Sequence, residues 1–534
     1  MQEALNLREV LSVLSKASPY AVSTERNSTS QSLLDEIKSY LYIQMPIETA
    51  VNETISSFGA NEKKVLFLCG SSGDGKSELL TRAKVKYGQR VNFHLDATHS
   101  FDPQENAIQT LDNLFNEFEN QSRPLVVGIN TGMLGNYAEE GSNEFFRKVI
   151  KNYLDNVEDT ANVTFINFED YPKFDIDEVG YTSEFVQLLL ERLTAVSGNL
   201  IRQIYDKDKL NNLDEESKKL HANYELLCLP LVQKTIIELL FKARLMRDQF
   251  LTARSLLDFI LTLVAGPNYL FDNLFAGGDN ELANKIIEFD PAHLRTKKID
   301  RFILSNDLLL PDEDFQEFKS YLTSIGIVNQ LNSQSYLRLF YILKNGEFAN
   351  NYHQKFVKDF NESLIERYVD IFQLHRDFDN SIEQKKRIKE FYNNILRAAI
   401  RKYNNRNAPN LDKSHYLISE LNGFQLVAKL EIKADLKNIL NYPAKSSSSF
   451  TACLKVEDHS LTIPININLL NLMTKIVDGY RPNKHDKNTV VLLDELLEDI
   501  AQVANHSKTL HIFKEHHQIT VKNVDDEEFE VSGM

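Results

Sequence analysis

The chain is 534 residues long, more than one hydrophobic core can organise, and its 42% hydrophobic and 25% charged residues are typical of folded globular proteins. No apolar run approaches the roughly 20 residues that a membrane-spanning helix needs, so we expect no membrane association. The formal net charge of −16 excludes a protein that coats nucleic acid by bulk charge, although a local basic groove or a DNA-binding partner subunit stays open.

The cysteines and the first residues bear on the cellular compartment. Cys69, Cys228 and Cys453 are isolated, which suits a reducing compartment and offers neither a zinc ligand set nor a disulfide framework. The stretch from Met1 to Leu5 lacks a basic segment followed by an apolar one. We therefore expect no secretory signal and a cytoplasmic location.

Residues 1–60 are predicted to be an N-terminal helical segment. Apolar residues recur at helical spacing from Leu5 to Leu14, and the polar stretch Ser23–Ser32 is predicted to be a loop. A second helical pattern runs from Leu33 to Phe58, with a break expected near Pro46.

The most specific motif follows an apolar stretch, Val65–Cys69, that is predicted to be a buried parallel strand. It matches the phosphate-loop pattern G-x-x-x-x-G-K-[S/T] and consists of Gly70, Ser71, Ser72, Gly73, Asp74, Gly75, Lys76 and Ser77. A helical pattern begins directly after it, so strand, glycine loop and helix follow in the order that phosphate binding needs.

This arrangement predicts a site for ATP and Mg²⁺. The glycines let successive backbone N–H groups point at phosphate oxygens, and the helix N-terminus adds partial positive charge. Lys76 is predicted to neutralise the β- and γ-phosphates, and the Ser77 hydroxyl to ligate Mg²⁺. The alternative is a chance match in a glycine loop, against which the flanking strand and helix argue.

Residues 61–205 alternate strands and helices, which indicates an α/β core with a parallel sheet and helices on its faces. The predicted strands are Val65–Cys69, Val91–Leu95, Leu125–Ile129 and Val163–Phe168, and the predicted helices between them are Ala107–Phe118 and Glu144–Leu154. Because ligands bind beyond the carboxyl ends of such strands, polar residues there are candidates for the site.

Three sets of polar residues follow these strands. Asp96 is a candidate for a second acid that holds Mg²⁺ or polarises the attacking water. Asn130 is a candidate for positioning water near the γ-phosphate, and Glu169 with Asp170 is a third option. The alternative for each is a helix cap or loop residue. Without a clear acidic pair, the sequence leaves open whether ATP is hydrolysed or only bound.

Residues 206–375 are predicted to form a helical lid or middle domain. The charged stretch Asp206–Lys219 is predicted to be an exposed linker. Arg254 lies just inside a later helical pattern, where an arginine can reach back to the γ-phosphate and couple nucleotide state to domain angle. The alternative is a surface arginine on a lid helix.

Residues 376–534 are predicted to form a C-terminal α+β domain. Between Lys385 and Arg406 the chain carries eight basic residues and one acid, Glu390, which makes this stretch a candidate contact for a phosphate backbone. A solvated helix face or a protein contact is the favoured alternative.

The remaining elements of this region follow from periodicity and charge. Strands are predicted at Phe424–Ile432, Phe450–Val456 and Leu461–Ile467 and in a hairpin of Thr509–Phe513 with Gln518–Lys522. The run from Val490 to Val503 is predicted to be an amphipathic helix, and the acidic run Asp525–Glu528 a loose tail.

Several stretches together resemble one family. They are Leu7–Leu14, Leu66–Ser77, Asp96–Thr98 with Ser100–Phe101, Val127–Gly132 and Leu251–Phe259. As a set they resemble the DptF family of bacterial DNA phosphorothioation-dependent restriction systems. The resemblance implies DptG- and DptH-like partner subunits and a nucleotide-dependent step in a complex that attacks DNA lacking the phosphorothioate. It carries a residue role over to this sequence only at Gly70–Ser77.

We therefore expect an α/β P-loop NTPase core of the AAA or STAND kind, a large helical lid and a C-terminal α+β unit. The leading function is an ATP-binding and ATP-hydrolysing subunit of a bacterial anti-phage restriction complex, which contacts DNA through that complex and is not its nuclease. The alternatives are a signalling ATPase of the STAND or AAA type and a scaffold that binds ATP with little turnover. The choice between ATP and GTP and the formation of an oligomer stay open.

Overall fold

A computed structural model gives the fold of the chain. It describes residues 5–15, 33–59, 61–97, 106–155, 157, 162–176, 180–211, 214–247, 251–328, 331–360, 363–412, 414–442, 448–507, 509–514, 517–525 and 528–533. The chain divides into two compact units. The first comprises Met1–Phe174, Ser183–Ala243 and Gln249–Asn361, and the second Asp175–Thr182, Arg244–Asp248 and Glu362–Met534. The four-domain division from the sequence stays a prediction.

The first unit contains a four-stranded sheet. Its strands are β1 Val65–Gly70, β2 Asn92–His94, β3 Leu125–Asn130 and β4 Val163–Asn167. Their order is β2-β3-β1-β4, and all three pairings are parallel. The predicted α/β character and the four predicted strands are thereby confirmed, with ends that differ by at most one residue.

The helices of the first unit lie on both faces of this sheet and in a long following segment. They are α1 Leu7–Leu11, α2 Leu33–Leu41, α3 Pro46–Ser57, α4 Lys76–Tyr87, α5 Ala107–Asn120, α6 Thr131–Glu140, α7 Glu144–Leu154, α8 Glu184–Thr194, α9 Leu200–Asn211, α10 Glu215–Leu227, α11 Pro230–Arg247, α12 Ala253–Ala265, α13 Leu270–Asn273, α14 Glu281–Ile286, α15 Lys297–Asp307, α16 Glu313–Ser324, α17 Ser333–Ile342 and α18 Val357–Phe360. The last residues of α11, from Arg244, are assigned to the second unit.

Alternation along β1 divides the core into two layers. Phe67 and its period-two neighbours pack with Phe115 of α5 and Phe146 of α7, whose rings stack with centroids 4.1 Å apart. Leu66 and Leu68 point the other way and pack with residues of α3 and α4, among them Val51 and Leu80. All six residues of β1 are buried, as expected for a central strand covered on both faces.

The N-terminal break predicted near Pro46 is confirmed. Proline is the first residue of α3, where its missing N–H removes no helical hydrogen bond. Residues 16–32, which include the whole predicted loop Ser23–Ser32, lie outside the described residues.

The predicted linker Asp206–Lys219 is wrong. The stretch belongs to α9 and α10, apart from residues 212–213, which lie outside the described part. Tyr205 is fully buried, and the buried Asp208 carboxylate lies 2.7 Å from His221 Nε2. The charged composition hid a helix whose inward positions, Ile201, Tyr205 and Asp208, recur at helical spacing.

The second unit contains three sheets. Its strands are β5 Asp175–Ile176, β6 Tyr181–Thr182, β7 His415–Leu421, β8 Phe424–Lys429, β9 Ile432–Ala434, β10 Phe450–Val456, β11 His459–Ile465, β12 Thr509–Lys514, β13 His517–Asp525 and β14 Glu528–Ser532. The sheet orders are β14-β13-β12-β8-β7, β11-β10-β9 and β5-β6, and every pairing is antiparallel. The tail prediction is wrong for the two ends of that run, because Asp525 in β13 pairs with Glu528 in β14, while residues 526–527 lie outside the described residues.

The helices of the second unit are α19 Ser363–Arg376, α20 Ile382–Phe391, α21 Arg397–Asn404, α22 Leu436–Ile439, α23 Ile467–Val477 and α24 Lys487–Asn505. A π-helical turn, Tyr392–Leu396, joins α20 to α21. The predicted amphipathic helix is confirmed as α24, where Asp494 accepts a hydrogen bond from Tyr403 Oη at 2.9 Å. Shorter 3₁₀ turns occur at Ser12–Leu14, Phe168–Asp170, Ile287–Phe289, Pro291–His293, Tyr352–Phe356, Asn405–Asn407 and Lys484–Asp486.

The basic stretch Lys385–Arg406 runs through α20, the π-helical turn and α21 into the 3₁₀ turn Asn405–Asn407. Lys386 and Lys389 are exposed, whereas Arg397 is partly buried and donates to Asn393 Oδ1 at 2.7 Å. Contact with a phosphate backbone stays a prediction for the exposed lysines.

Among the described helices, none combines the length and apolar character that crossing a bilayer requires.

Candidate nucleotide-binding site

The loop Gly70–Ser77 joins the carboxyl end of β1 to the first residue of α4. Gly75 caps α4 with φ +104°, and Gly73 has φ +87°, both in the region that favours glycine. Lys76, only 9% exposed, donates from Nζ to the carbonyl oxygens of Gly70 at 3.0 Å and Ser71 at 2.8 Å. These bonds hold the ammonium group across the mouth of the loop.

Asp74 fixes the same loop from the inside. Its Oδ2 accepts a hydrogen bond from Ser71 N at 2.7 Å, and its Oδ1 lies 2.8 Å from Lys173 Nζ. The two side chains are 3% and 9% exposed, so the ion pair is shielded from solvent.

Asn130 ends β3 in register with Gly70, the first residue of the loop. Its Oδ1 accepts a hydrogen bond from Met133 N at 2.6 Å, so it caps α6 as well as lining the cavity described below. The helix-cap interpretation therefore holds for Asn130. It does not remove the residue from the site.

Asp96 follows β2 and lies on the same side of the sheet. Ala97 N donates to Gly128 O at 2.9 Å, which keeps the segment after β2 alongside β3. A Cβ on Gly128 would lie 2.5 Å from Leu95 O, so only glycine permits this close approach. Glu169 and Asp170 are exposed in a 3₁₀ turn and do not line the cavity, whereas their neighbour Phe168 does.

Arg254 reaches the loop from α12, whose N-cap is Thr252. Arg254 N donates to Gly73 O at 3.2 Å. A Cβ on Gly73 would lie 3.1 Å from Thr252 Oγ1 and 3.2 Å from Arg254 Cβ. The start of α12 thus packs directly on the glycine loop.

A cavity of about 510 Å³ brings these residues together. Its lining includes residues 72–78 of the loop and α4 and the polar or charged residues Asp96, Asn130, Lys173 and Arg254. It also includes the apolar residues Leu14, Leu41, Ile43, Met45, Phe185, Leu189 and Leu257. The volume and this mixed lining suit a ligand that has both an apolar and an anionic part.

Charge within the cavity acts on Lys76. Burial lowers the pKa of the Lys76 ammonium, while the negative charges of Asp74 and Asp96 oppose that shift. The nearby Arg254 adds a smaller lowering effect on the same pKa. Burial disfavours the charged form of Lys76, and a bound anion would favour that form again.

The donor set near the loop suits Mg²⁺. The Ser77 hydroxyl and the Asp96 carboxylate are hard oxygen donors, and Mg²⁺ usually takes few protein ligands while keeping several waters. In the described part of the chain, no three His, Cys, Asp or Glu side chains gather into a site that could hold a metal alone.

The sequence did not indicate Lys173 or the apolar residues that line the cavity as members of the site. The unusual aspartate at position 74 was the only signal for Lys173, since a carboxylate in an anion-binding loop needs a counter-charge.

Comparison of the chain with family models, curated proteins and solved structures finds no match.

Proposed function

We propose that the chain binds a nucleoside triphosphate, ATP with Mg²⁺, at the loop Gly70–Ser77. The observation that carries this proposal is the position of Lys76: its ammonium group is held over a glycine loop between a buried parallel strand and the N-terminus of α4. That geometry presents a cation, backbone N–H groups and the helix dipole to one anion.

The surrounding residues suggest a role for each part of the ligand. Lys76 would neutralise the β- and γ-phosphates, and Mg²⁺ held by Ser77 and Asp96 would offset the remaining charge. Asn130, at the end of β3, and Arg254, at the start of α12, both line the cavity and would contact the terminal phosphate. The apolar lining residues would contact the base.

Two features support hydrolysis beyond binding. Asp96 and Asn130 both line the cavity, at the ends of the neighbouring strands β2 and β3, which suits a carboxylate and an amide that orient a water. Arg254 supplies a second cation from a helix outside the sheet, as needed to sense the γ-phosphate. We infer an AAA- or STAND-like ATPase, with a binding-only switch or scaffold as the alternative.

The set of resembling stretches supports a more specific role. We propose that this ATPase is the DptF-like subunit of a bacterial restriction complex, acting with DptG- and DptH-like subunits on DNA that lacks phosphorothioate. The nucleotide step would change the conformation of the complex, and cleavage would belong to another subunit.

The first test is nucleotide binding and phosphate release by purified protein. Wild type should bind Mg·ATP in calorimetry, and Lys76→Ala should lose affinity by on the order of a hundredfold, as for removal of a desolvated charge contact. Lys355→Met is the matched control, because its pair with Asp314 is largely exposed and outside the cavity. Wild-type binding without phosphate release, with and without DNA and partners, would leave a switch; no binding would overturn the proposal.

The second test addresses the biological role. Cells that also carry the DptG- and DptH-like subunits should restrict unmodified phage DNA when they contain the wild-type protein. At equal protein levels, cells with Lys76→Ala should fail to restrict it. Restriction that is equal with both forms, in cells where the purified proteins differ in ATP binding, would reject a nucleotide-dependent role in restriction.

A further inference from the structure

Asp74 is an unexpected residue in a loop that receives anions. It belongs to the glycine loop and lines the cavity, and its negative charge acts on Lys76. A free carboxylate there would repel a triphosphate. Asp74 instead forms the 2.8 Å ion pair with Lys173.

Lys173 is fixed by contacts on several sides. Its Nζ lies 5.6 Å from the centre of the Phe168 ring, and Phe168 packs against Gly70 at the end of β1. Its carbonyl oxygen accepts a hydrogen bond from Ser183 Oγ at 2.5 Å. Ser183 is the N-cap of α8, a helix whose Phe185 and Leu189 line the same cavity.

The pair also shapes the loop. While Oδ1 of Asp74 faces Lys173, Oδ2 accepts from Ser71 N, so one carboxylate links the lysine to the first turn of the loop. Removing the lysine would leave a buried, uncompensated negative charge within the anion site. Removing both charges would leave a neutral loop.

We propose that Lys173 is a positioning residue for the nucleotide site: it neutralises Asp74 and so makes the loop both correctly shaped and attractive to a triphosphate. This inference rests on the proposed nucleotide binding. It adds Lys173 to Lys76 and Arg254 as a third cation of the site, outside the phosphate-loop motif, and assigns Asp74 the role of anchoring that cation.

A double-mutant cycle tests it, with Mg·ATP affinity as the readout. Lys173→Met should weaken binding by on the order of tenfold or more, because the unpaired carboxylate repels the phosphates. Asp74→Asn should bind at least as tightly as wild type, because an amide oxygen can still accept from Ser71 N and the lysine charge is freed. The double variant should recover most of the loss.

Each outcome decides between a charge role and a merely structural one. Loss in both single variants without recovery in the double variant overturns the proposal, as does wild-type affinity in Lys173→Met. If Lys173→Met fails to fold, Asp74→Asn alone decides, since weaker binding by that variant contradicts the proposal. Absence of binding by wild type would instead reject nucleotide binding itself. Lys355→Met again serves as the control for removing a paired lysine elsewhere.

Discussion

His375 in α19 shows how a single buried side chain ties stability to pH. It is 2% exposed, its Nδ1 donates to Ile371 O at 2.8 Å, and its ring lies 4.3 Å from that of Phe450 between centroids. Its Nε2 is 3.4 Å from Tyr392 Oη. Burial lowers the pKa of His375 from 6.5 to about 4, so the folded protein keeps the ring neutral.

The linkage has a definite sign. Between the two pKa values the unfolded chain takes up a proton that the folded chain refuses, so stability is complete above about pH 6.5 and falls as pH drops towards 4. From about pH 7 to about pH 5, His375 should cost about 2 kcal/mol of the free energy of unfolding of its region.

Hydrogen exchange of α19 at the two pH values measures this cost. After correction for intrinsic rates, wild type should lose about 2 kcal/mol more protection than His375→Gln does. His506→Gln, at an exposed position, is the control and should behave as wild type. Equal losses in wild type and His375→Gln would show that the imidazole titrates normally in the fold.

At the scale of elements, the sequence predicted what depends on local pattern. The four apolar runs are the four parallel strands, and α3 starts at Pro46. Both could be predicted because an apolar run and a proline each determine the conformation of the backbone that carries them. The predicted linker is helical, with Asp208 buried in α9, which the charged composition does not reveal. Strand β7 was missed, because its residues alternate poorly and its order depends on pairing with β8 and on hydrogen bonds with Asn404 and Asn405.

The site divides in the same way. The motif residues and Asp96, Asn130 and Arg254 could be named because strand ends and helix starts have sequence signals. Lys173 and the apolar residues that line the cavity belong to segments that are far apart in the sequence. Their convergence depends on three-dimensional packing, which no local pattern encodes.

Two glycines on neighbouring elements should respond to alanine with opposite signs. On β3, a Cβ at Gly128 would meet Leu95 O at 2.5 Å and Leu80 Cδ1 at 2.7 Å, and the carbonyl belongs to backbone that cannot move aside cheaply. Gly128→Ala should destabilise the first unit by about 1–3 kcal/mol. In α6, a Cβ at Gly135 meets nothing within 4 Å, so Gly135→Ala should stabilise by about 0.5–1 kcal/mol.

Urea unfolding followed by circular dichroism compares the two variants with wild type. Gly128→Ala should also weaken Mg·ATP binding, because the same carbonyl lies one residue before Asp96, whereas Gly135→Ala should leave affinity unchanged. A neutral Gly128→Ala would mean that β2 and the segment after it shift freely and do not position Asp96.

At the scale of the whole molecule, all residues that line the cavity belong to the first unit. The hairpin β5–β6 belongs to the second unit, yet its chain neighbours on either side, Lys173 with Phe174 and Ser183, belong to the first. Along the chain, Lys173 of the candidate site is therefore followed by strands β5 and β6 of the second unit and then by Ser183, the N-cap of α8, in the first unit.

Ligand-linked protection should reveal how far the site's influence extends. At a free Mg·ATP concentration about 100 times its Kd, openings that destroy the cavity should cost about 2.7 kcal/mol more. Hydrogen exchange should accordingly slow in β1, α4 and the start of α12. Exchange in β10 and β11, which belong to the second unit and contribute no residue to the cavity lining, should stay the same, and Lys76→Ala should abolish the whole effect. Equal slowing in both units would contradict separate units and indicate one cooperative body, in which the nucleotide stabilises the entire chain.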